Sequence, residues 1–182
     1  MKSGKKRQRV RSAIAGLRFA RSRPSLGVFG GVTRVMQASG QYEISTDRGR
    51  LDVALIHDFL RSSDWARGIG RAVVERSIEH SLCFGAYLGG RQVGFARVIT
   101  DFAALAYVAD VFVVPEHRGR GISKLLMRAI LAHPELQQLR RFLLATRDAH
   151  GLYRQFGFQP LAHPEHFMTI HKPDAYRNGH AA

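Results

Sequence analysis

The chain has a single cysteine, Cys83, among 182 residues. One thiol closes no internal disulfide, so the fold cannot depend on a disulfide framework, and a reducing, cytoplasmic setting is expected. Cys83 lies in the strand-like run 82–88, where a small buried hydrophobe is a simpler role than a nucleophile. No apolar run is long enough to cross a membrane. No uninterrupted apolar segment follows the basic start, which argues against a secretory signal. Acidic residues are absent from the first forty positions, which hold ten Lys or Arg. The remaining 142 residues carry eighteen basic and fourteen acidic groups, so the formal charge of +14 belongs mostly to one end. The body is charge-balanced, and its partners cannot be read from net charge.

That division sets the expected organisation. Residues 1–40 are read as a basic, disordered N-terminal extension, 41–174 as one domain and 175–182 as a short C-terminal tail. Three readings of the extension compete: an arm for nucleic acid or anionic surfaces, an Arg-rich targeting peptide, or a stretch outside the native protein with translation starting at Met36. The abrupt change of composition there favours the last, or a dispensable arm.

Along the body, 41–46 reads as a strand, and Leu51, Ala54, Leu55 and Phe59 mark a helix near 52–62. A second helix is expected near 69–80. Strands 82–88 and 91–100 flank the tight-turn pair Gly89-Gly90, and a strand over 105–114 follows almost at once. These three have no crossover helix between them and must run antiparallel. Ile122, Leu125, Leu126, Ala129 and Ile130 share one helical face, and Pro134 ends that helix. Strand 139–146, reached by a crossover, is expected to be parallel to its predecessor. A helix over 149–156 and late strands near 157–162 and 166–171 complete an α/β domain with a mixed, mostly antiparallel central sheet flanked by helices.

Chemistry concentrates where the 105–114 strand gives way to Pro115-Glu116-His117-Arg118-Gly119-Arg120-Gly121-Ile122-Ser123-Lys124 and then a helix. A glycine-rich basic loop opening a helix presents free N–H groups at the positive end of the helix dipole, a ready phosphate site. The spacing fits neither a P-loop nor a dinucleotide fingerprint, whose third glycine would fall at Lys124.

Arg118-x-x-Gly121-x-Ser123 resembles the acetyl-CoA loop of the GNAT N-acetyltransferase superfamily, usually Arg/Gln-x-x-Gly-x-Gly/Ala. About thirty residues later, Gly151-Leu152-Tyr153-Arg154-Gln155-Phe156-Gly157-Phe158 is similar to the family's second signature. The likeness covers about residues 41–171, and Ser123 departs from the usual Gly or Ala while remaining small. It implies a sheet whose fourth and fifth strands, here 105–114 and 139–146, splay apart. Phe112, Val113 and Val114 would offer main-chain contacts to pantetheine. The N–H groups of Arg118, Gly119, Arg120, Gly121, Ile122 and Ser123 would hold pyrophosphate. Thr146 stands where many members have a pantetheine-binding Asn.

The resemblance implies Tyr153 as general acid to the leaving thiolate and a strand amide near Val111 or Phe112 as oxyanion donor. Asp110, the one charged group between Leu105 and Val114, is a candidate base or the partner of Arg97. Asp148 and His150 are further candidates. His57, Asp58 and Trp65 fall where the family builds its acceptor pocket, with His57 read as a satisfied core histidine. His163-Pro164-Glu165-His166 reads as a polar loop, and no metal is expected. The expected activity is therefore acetyl transfer from acetyl-CoA to an unidentified primary amine by direct attack. The rival is a catalytically idle acetyl-CoA-binding sensor or regulatory domain. Nucleic acid is expected only through the basic arm, no membrane contact is expected, and a homodimer is compatible with the sequence.

Overall fold

The computed structural model describes residues 28–29, 32–37 and 40–176. Seven strands form one sheet in chain order: β1 (Val28–Phe29), β2 (Val32–Gln37), β3 (Gly40–Ser45), β4 (Leu82–Leu88), β5 (Arg91–Thr100), β6 (Leu105–Val113) and β7 (Arg141–Leu144). All neighbours are antiparallel except β6 and β7. The helices are α1 (Val53–Ser62), α2 (Arg71–Glu79), α3 (Ile122–Ala132) and α4 (His150–Arg154). The mixed, mostly antiparallel sheet flanked by helices is as expected.

Local chemistry explains most of the elements. Gly89 and Gly90 both take positive φ, +55° and +82°, and close the β4–β5 hairpin tightly. At the next hairpin, the Asp101 carboxylate accepts from the N–H groups of Ala103, Ala104 and Leu105, which holds its pKa down at about 2. Asp52 caps α1 by accepting from Leu55 N at 3.0 Å.

The sheet separates two cores. On one side α3 buries Ile122, Leu125, Leu126, Met127, Ala129 and Ile130 against Phe84, Ala86, Ala96, Val98 and Val108. On the other, α1 and α2 pack Ile56, Leu60, Val74 and Ile78 on Cys83, Phe95 and Phe112. Cys83 is buried and reduced, and burial pushes its thiol up to about 11, far from a reactive thiolate.

Two features depart from the sequence reading. Residues 28–29 and 32–37, assigned to an extension without structure, pair as strands, with Val32–Gln37 opposite Gly40–Ser45. Gly40 opens β3, and the remaining positions of that extension, with 177–182 of the expected tail, lie outside the described residues. The late strands expected near 157–162 and 166–171 do not form. That stretch holds one short turn at Pro164–His166 and makes no backbone hydrogen bond to the sheet.

Candidate active site

β6 carries the site because it is irregular in its middle. Its register against β5 runs Val113 to Gly94 and Phe112 to Phe95, then Ala109 to Arg97, so Asp110 and Val111 share the space opposite Ala96. This is a bulge, with one extra residue on β6. Asp110 absorbs it with a φ of +52°, a left-handed conformation that Asp tolerates better than most residues. The side chain is turned toward α1 and α2 and fixed there. Arg97 Nε donates to Asp110 Oδ2 at 2.7 Å, and Trp65 Nε1 donates to Oδ1 at 3.3 Å. Arg97 also donates to Ser81 Oγ at 3.2 Å. The expected Arg97 partnership is therefore present, and both oxygens of Asp110 are engaged.

An aromatic row runs outward from this point. Phe59 of α1 stacks on Phe112 with centroids 3.9 Å apart, and Trp65 lies 6.4 Å beyond Phe59. Trp65 is more than half exposed and forms an outer wall beside Asp110. Asp64, next to it, binds Arg147 at 2.9 Å, tying the α1–α2 loop to the loop after β7.

The other flank of β6 is open. β7 pairs with it only from Leu105 to Val108, against Arg141 to Leu144. Past Val108 the two strands part, which is the splay expected of strands 105–114 and 139–146. The outer edge of β6 from Ala109 to Val113 faces no strand.

At the end of that edge stands the glycine loop. Gly119 and Gly121 take φ of +74° and +77°, which favour glycine at both places. The resulting turn leaves the N–H groups of residues 119–124 without a protein acceptor among the described residues, since the helix ladder begins with Leu125 N to Gly121 O. Arg118 differs from its neighbours. Its N–H bonds Pro115 O, and its Nε donates to Val113 O at 3.1 Å. Arg118 thus straps the loop to β6, and its amide is not a free donor as the sequence reading supposed. Sequence reading also missed Tyr42, whose buried hydroxyl lies 3.1 Å from His117 Nδ1 and braces the loop from β3. A cleft of about 290 Å³ opens here, lined by Val113, His117, Arg118, Gly119, Gly121, Ile122, Ser123, Lys124 and Leu152.

Tyr153 lies on α4, half-buried, its ring 5.9 Å from Phe158. Burial first, and Asp148 second, raise its pKa above the ordinary tyrosine value, so its proton is retained at neutral pH. Its hydroxyl has no protein partner among the described residues. Thr146 Oγ accepts from Ala149 N at 3.0 Å, capping the turn into α4 rather than standing free. Asp148 and His150 are exposed. His57 Nε2 lies 3.2 Å from the Ile69 carbonyl, as a satisfied core histidine should. His163, Glu165 and His166, a polar loop by sequence, are all exposed. The turn begun by Pro164 brings their ligand atoms within 4.8 Å of one another on the surface, a convergence that helical spacing arguments miss.

A splayed strand pair beside a glycine loop at a helix N-terminus defines an α/β domain in which an open strand edge leads to unpaired backbone N–H donors. The comparisons name the family. The model described as "Acetyltransferase (GNAT) domain" matches residues 79–160. A Gibberella zeae protein that carries an acetyltransferase name is 33% identical over 139 residues, covering 63% of this chain and 76% of its own length. A crystal structure from Xanthomonas campestris pv. campestris, described as a GNAT-family member, is 57% identical with a TM-score of 0.73, covering 74% of this chain and 96% of that one. A Clostridium acetobutylicum structure described as holding acetyl-CoA shares the fold at 14% identity and TM-score 0.53, covering 71% of this chain and 94% of that one. The chain belongs to the GNAT acetyltransferase family, whose general chemistry is acetyl transfer.

Proposed function

We propose that the protein is an N-acetyltransferase that moves an acetyl group from acetyl-CoA to a primary amine by direct attack. The observation that carries this reading is the continuity of the free β6 edge with the unpaired N–H groups of residues 119–124. One end offers strand backbone to an amide-bearing pantetheine. The other offers the helix dipole and N–H donors to a pyrophosphate, with Arg120 and Lys124 adding charge. Phe112 and Val113 lie on the edge, with Val113 O held by Arg118, whereas Val114 N–H is spent on Val93 O and is not the free contact expected of it; Gly119, Arg120, Gly121, Ile122 and Ser123 form the cradle. Arg118 and Thr146 act as supports for the cradle and for α4.

The reaction forms a carbon–nitrogen bond and breaks the carbon–sulfur bond of the thioester. Tyr153 supplies the proton that the leaving sulfur takes up, and its raised pKa keeps that proton available across the working range. Asp110 accepts the proton released by the amine. Its Oδ2 is committed to Arg97, so Oδ1 is the working oxygen, and the incoming amine takes the place of the longer, exposed Trp65 contact. The products are an N-acetyl amide and free CoA thiol. A strand amide at Val111 or Phe112 stabilises the oxyanion.

Calorimetric titration of acetyl-CoA into the full chain, wild type against Ser123→Asp, tests the reading. Ser123 lies in the first turn of α3, where an acidic side chain suits the dipole and the fold is kept. The added charge should nevertheless repel a pyrophosphate and weaken binding at least ~10-fold, about 1.4 kcal/mol. Equal affinity in the two proteins, or none in wild type, would overturn the cofactor assignment. An amine panel read by thiol release then tests the transfer.

A further inference from the structure

Residues 163–166 read His-Pro-Glu-His, and the backbone they adopt decides what that spacing means. In a 3-10 turn, with about three residues per turn, side chains at i and i+3 eclipse one another. Pro164 opens such a turn, Pro164–His166, because its ring fixes φ and its missing N–H is not needed at the first position. The turn is closed by His166 N donating to His163 O at 3.1 Å and Phe167 N donating to Pro164 O at 3.0 Å. The two imidazoles are thereby laid over each other, with centroids 4.9 Å apart and planes inclined by 15°. Glu165 reaches both rings. Its Oε1 lies 3.0 Å from His163 Nδ1 and 3.6 Å from His166 Nε2.

Those separations suit a metal ion. Zn²⁺ holds nitrogen and oxygen ligands at about 2.0–2.2 Å, so two ligands of a tetrahedron stand about 3.3–3.6 Å apart. The two contacts of Glu165 Oε1 span that spacing, and one ligand atom from each residue lies within 4.8 Å of the others. The donor set selects the ion. Two imidazoles and a carboxylate suit zinc and its first-row neighbours, whereas Mg²⁺ and Ca²⁺ favour oxygen ligands throughout.

We infer that His163, Glu165 and His166 bind one divalent cation of the zinc class, which replaces the proton shared between the carboxylate and the rings. All three side chains are about two-thirds exposed, so an ion enters from solvent without any opening of the fold, and water completes its coordination. The bound ion acts as a clip. No backbone hydrogen bond ties residues 159–174 to the sheet, and the stretch is anchored instead by contacts such as Phe167 beneath the Arg141 guanidinium, 5.6 Å away. Linking His163 to His166 fixes the turn that leads into that anchor. The inference is independent of the cofactor assignment, because none of the three residues lines the cleft at the glycine loop.

Calorimetric titration of Zn²⁺ into the full chain, free of any added histidine tag, tests the inference, with hydrogen exchange read at the His166 and Phe167 amides. One ion per chain, with both amides slowed on binding, is the expected result, since these two N–H groups close the clipped turn. His163→Gln and His166→Gln change only exposed side chains and keep the fold. Each should weaken binding at least ~10-fold. His80→Gln alters another exposed histidine beside a carboxylate, that of Glu79, and should bind as wild type does. No Zn²⁺ binding by wild type would overturn the site. So would unchanged affinity in either the His163 or the His166 variant, an equal loss in His80→Gln, or binding that leaves the two amides exchanging freely. Mg²⁺ bound as tightly as Zn²⁺ would overturn the choice of ion.

Discussion

The two faces of the sheet are built to different standards. On the α3 face one helix buries six residues, and the loop at its start is strapped by Arg118 and braced by Tyr42 and His117. On the opposite face α1 and α2 bury two residues each, and the contacts toward solvent are an exposed indole and surface ion pairs such as Asp64–Arg147. The glycine loop therefore stands on a dense, over-determined core. The Trp65 side, where an acceptor would enter, stands on a thinner one. A binding feature shared by many proteins needs fixed donors, whereas an acceptor pocket can vary if its walls sit on loops.

The largest expected effect tests that contrast directly. Leu126→Ala and Leu60→Ala remove the same atoms from residues that are 0% and 1% exposed, one on each face. Urea unfolding should show a loss of about 4 kcal/mol for Leu126 and about 2–3 kcal/mol for Leu60, because the thinner face can relax into the gap. Equal losses would erase the difference between the faces.

Next in size, Tyr153→Phe should lower kcat by ~100-fold with acetyl-CoA affinity unchanged, since it removes a proton donor and not a binding contact. The deficit should narrow above about pH 8.5, where the leaving thiol no longer needs a proton. A deficit constant with pH would make Tyr153 a packing residue. Asp110→Asn keeps a residue that tolerates the left-handed backbone and keeps an acceptor for Trp65. It should lower kcat by ~10-fold or more while the acetyl-CoA titration is unchanged, and normal turnover would reduce Asp110 to the partner of Arg97.

The smallest effect concerns the end of α3. His133 packs edge-on to Phe84, its Nδ1 is buried without a partner, and burial lowers its pKa below the ordinary 6.5. The folded state thus binds that proton less well than the unfolded chain. The stability this represents is full above about pH 6.5 and is lost as pH falls through the lowered folded value. His133→Phe should flatten the thermal-unfolding profile in that window, and an unchanged slope would exclude His133 as its source.

How much was legible depended on how local the cause was. The Gly89-Gly90 hairpin and α3 were readable because turn chemistry and a 3.6-residue period are written in neighbouring residues. The loop glycines were readable for the same reason. The bulge at Asp110 was not, because it arises from the register between β5 and β6. Trp65, separated from Asp110 by 45 residues, became its partner only through the packing of α1 on Phe112. The inward turn of Arg118 was equally hidden: the sequence shows a cation in a basic loop, while the fold spends it on Val113. A late strand was expected near 166–171, but a strand needs a neighbour, and among the described residues no backbone group of another strand pairs with it.

The sequence by itself determined the element order between residues 41 and 156, the α/β class and the position of the glycine loop, because these follow from periodicity, turn residues and glycine placement within short windows. Tertiary structure alone decided that Asp110 has both oxygens engaged, that the amides of residues 119–124 and not Arg118 remain free, and that Met168 and Ile170 stand uncovered. Those are matters of which groups meet across the sheet, and hydrogen bonds and burial are settled only when distant segments have been brought together.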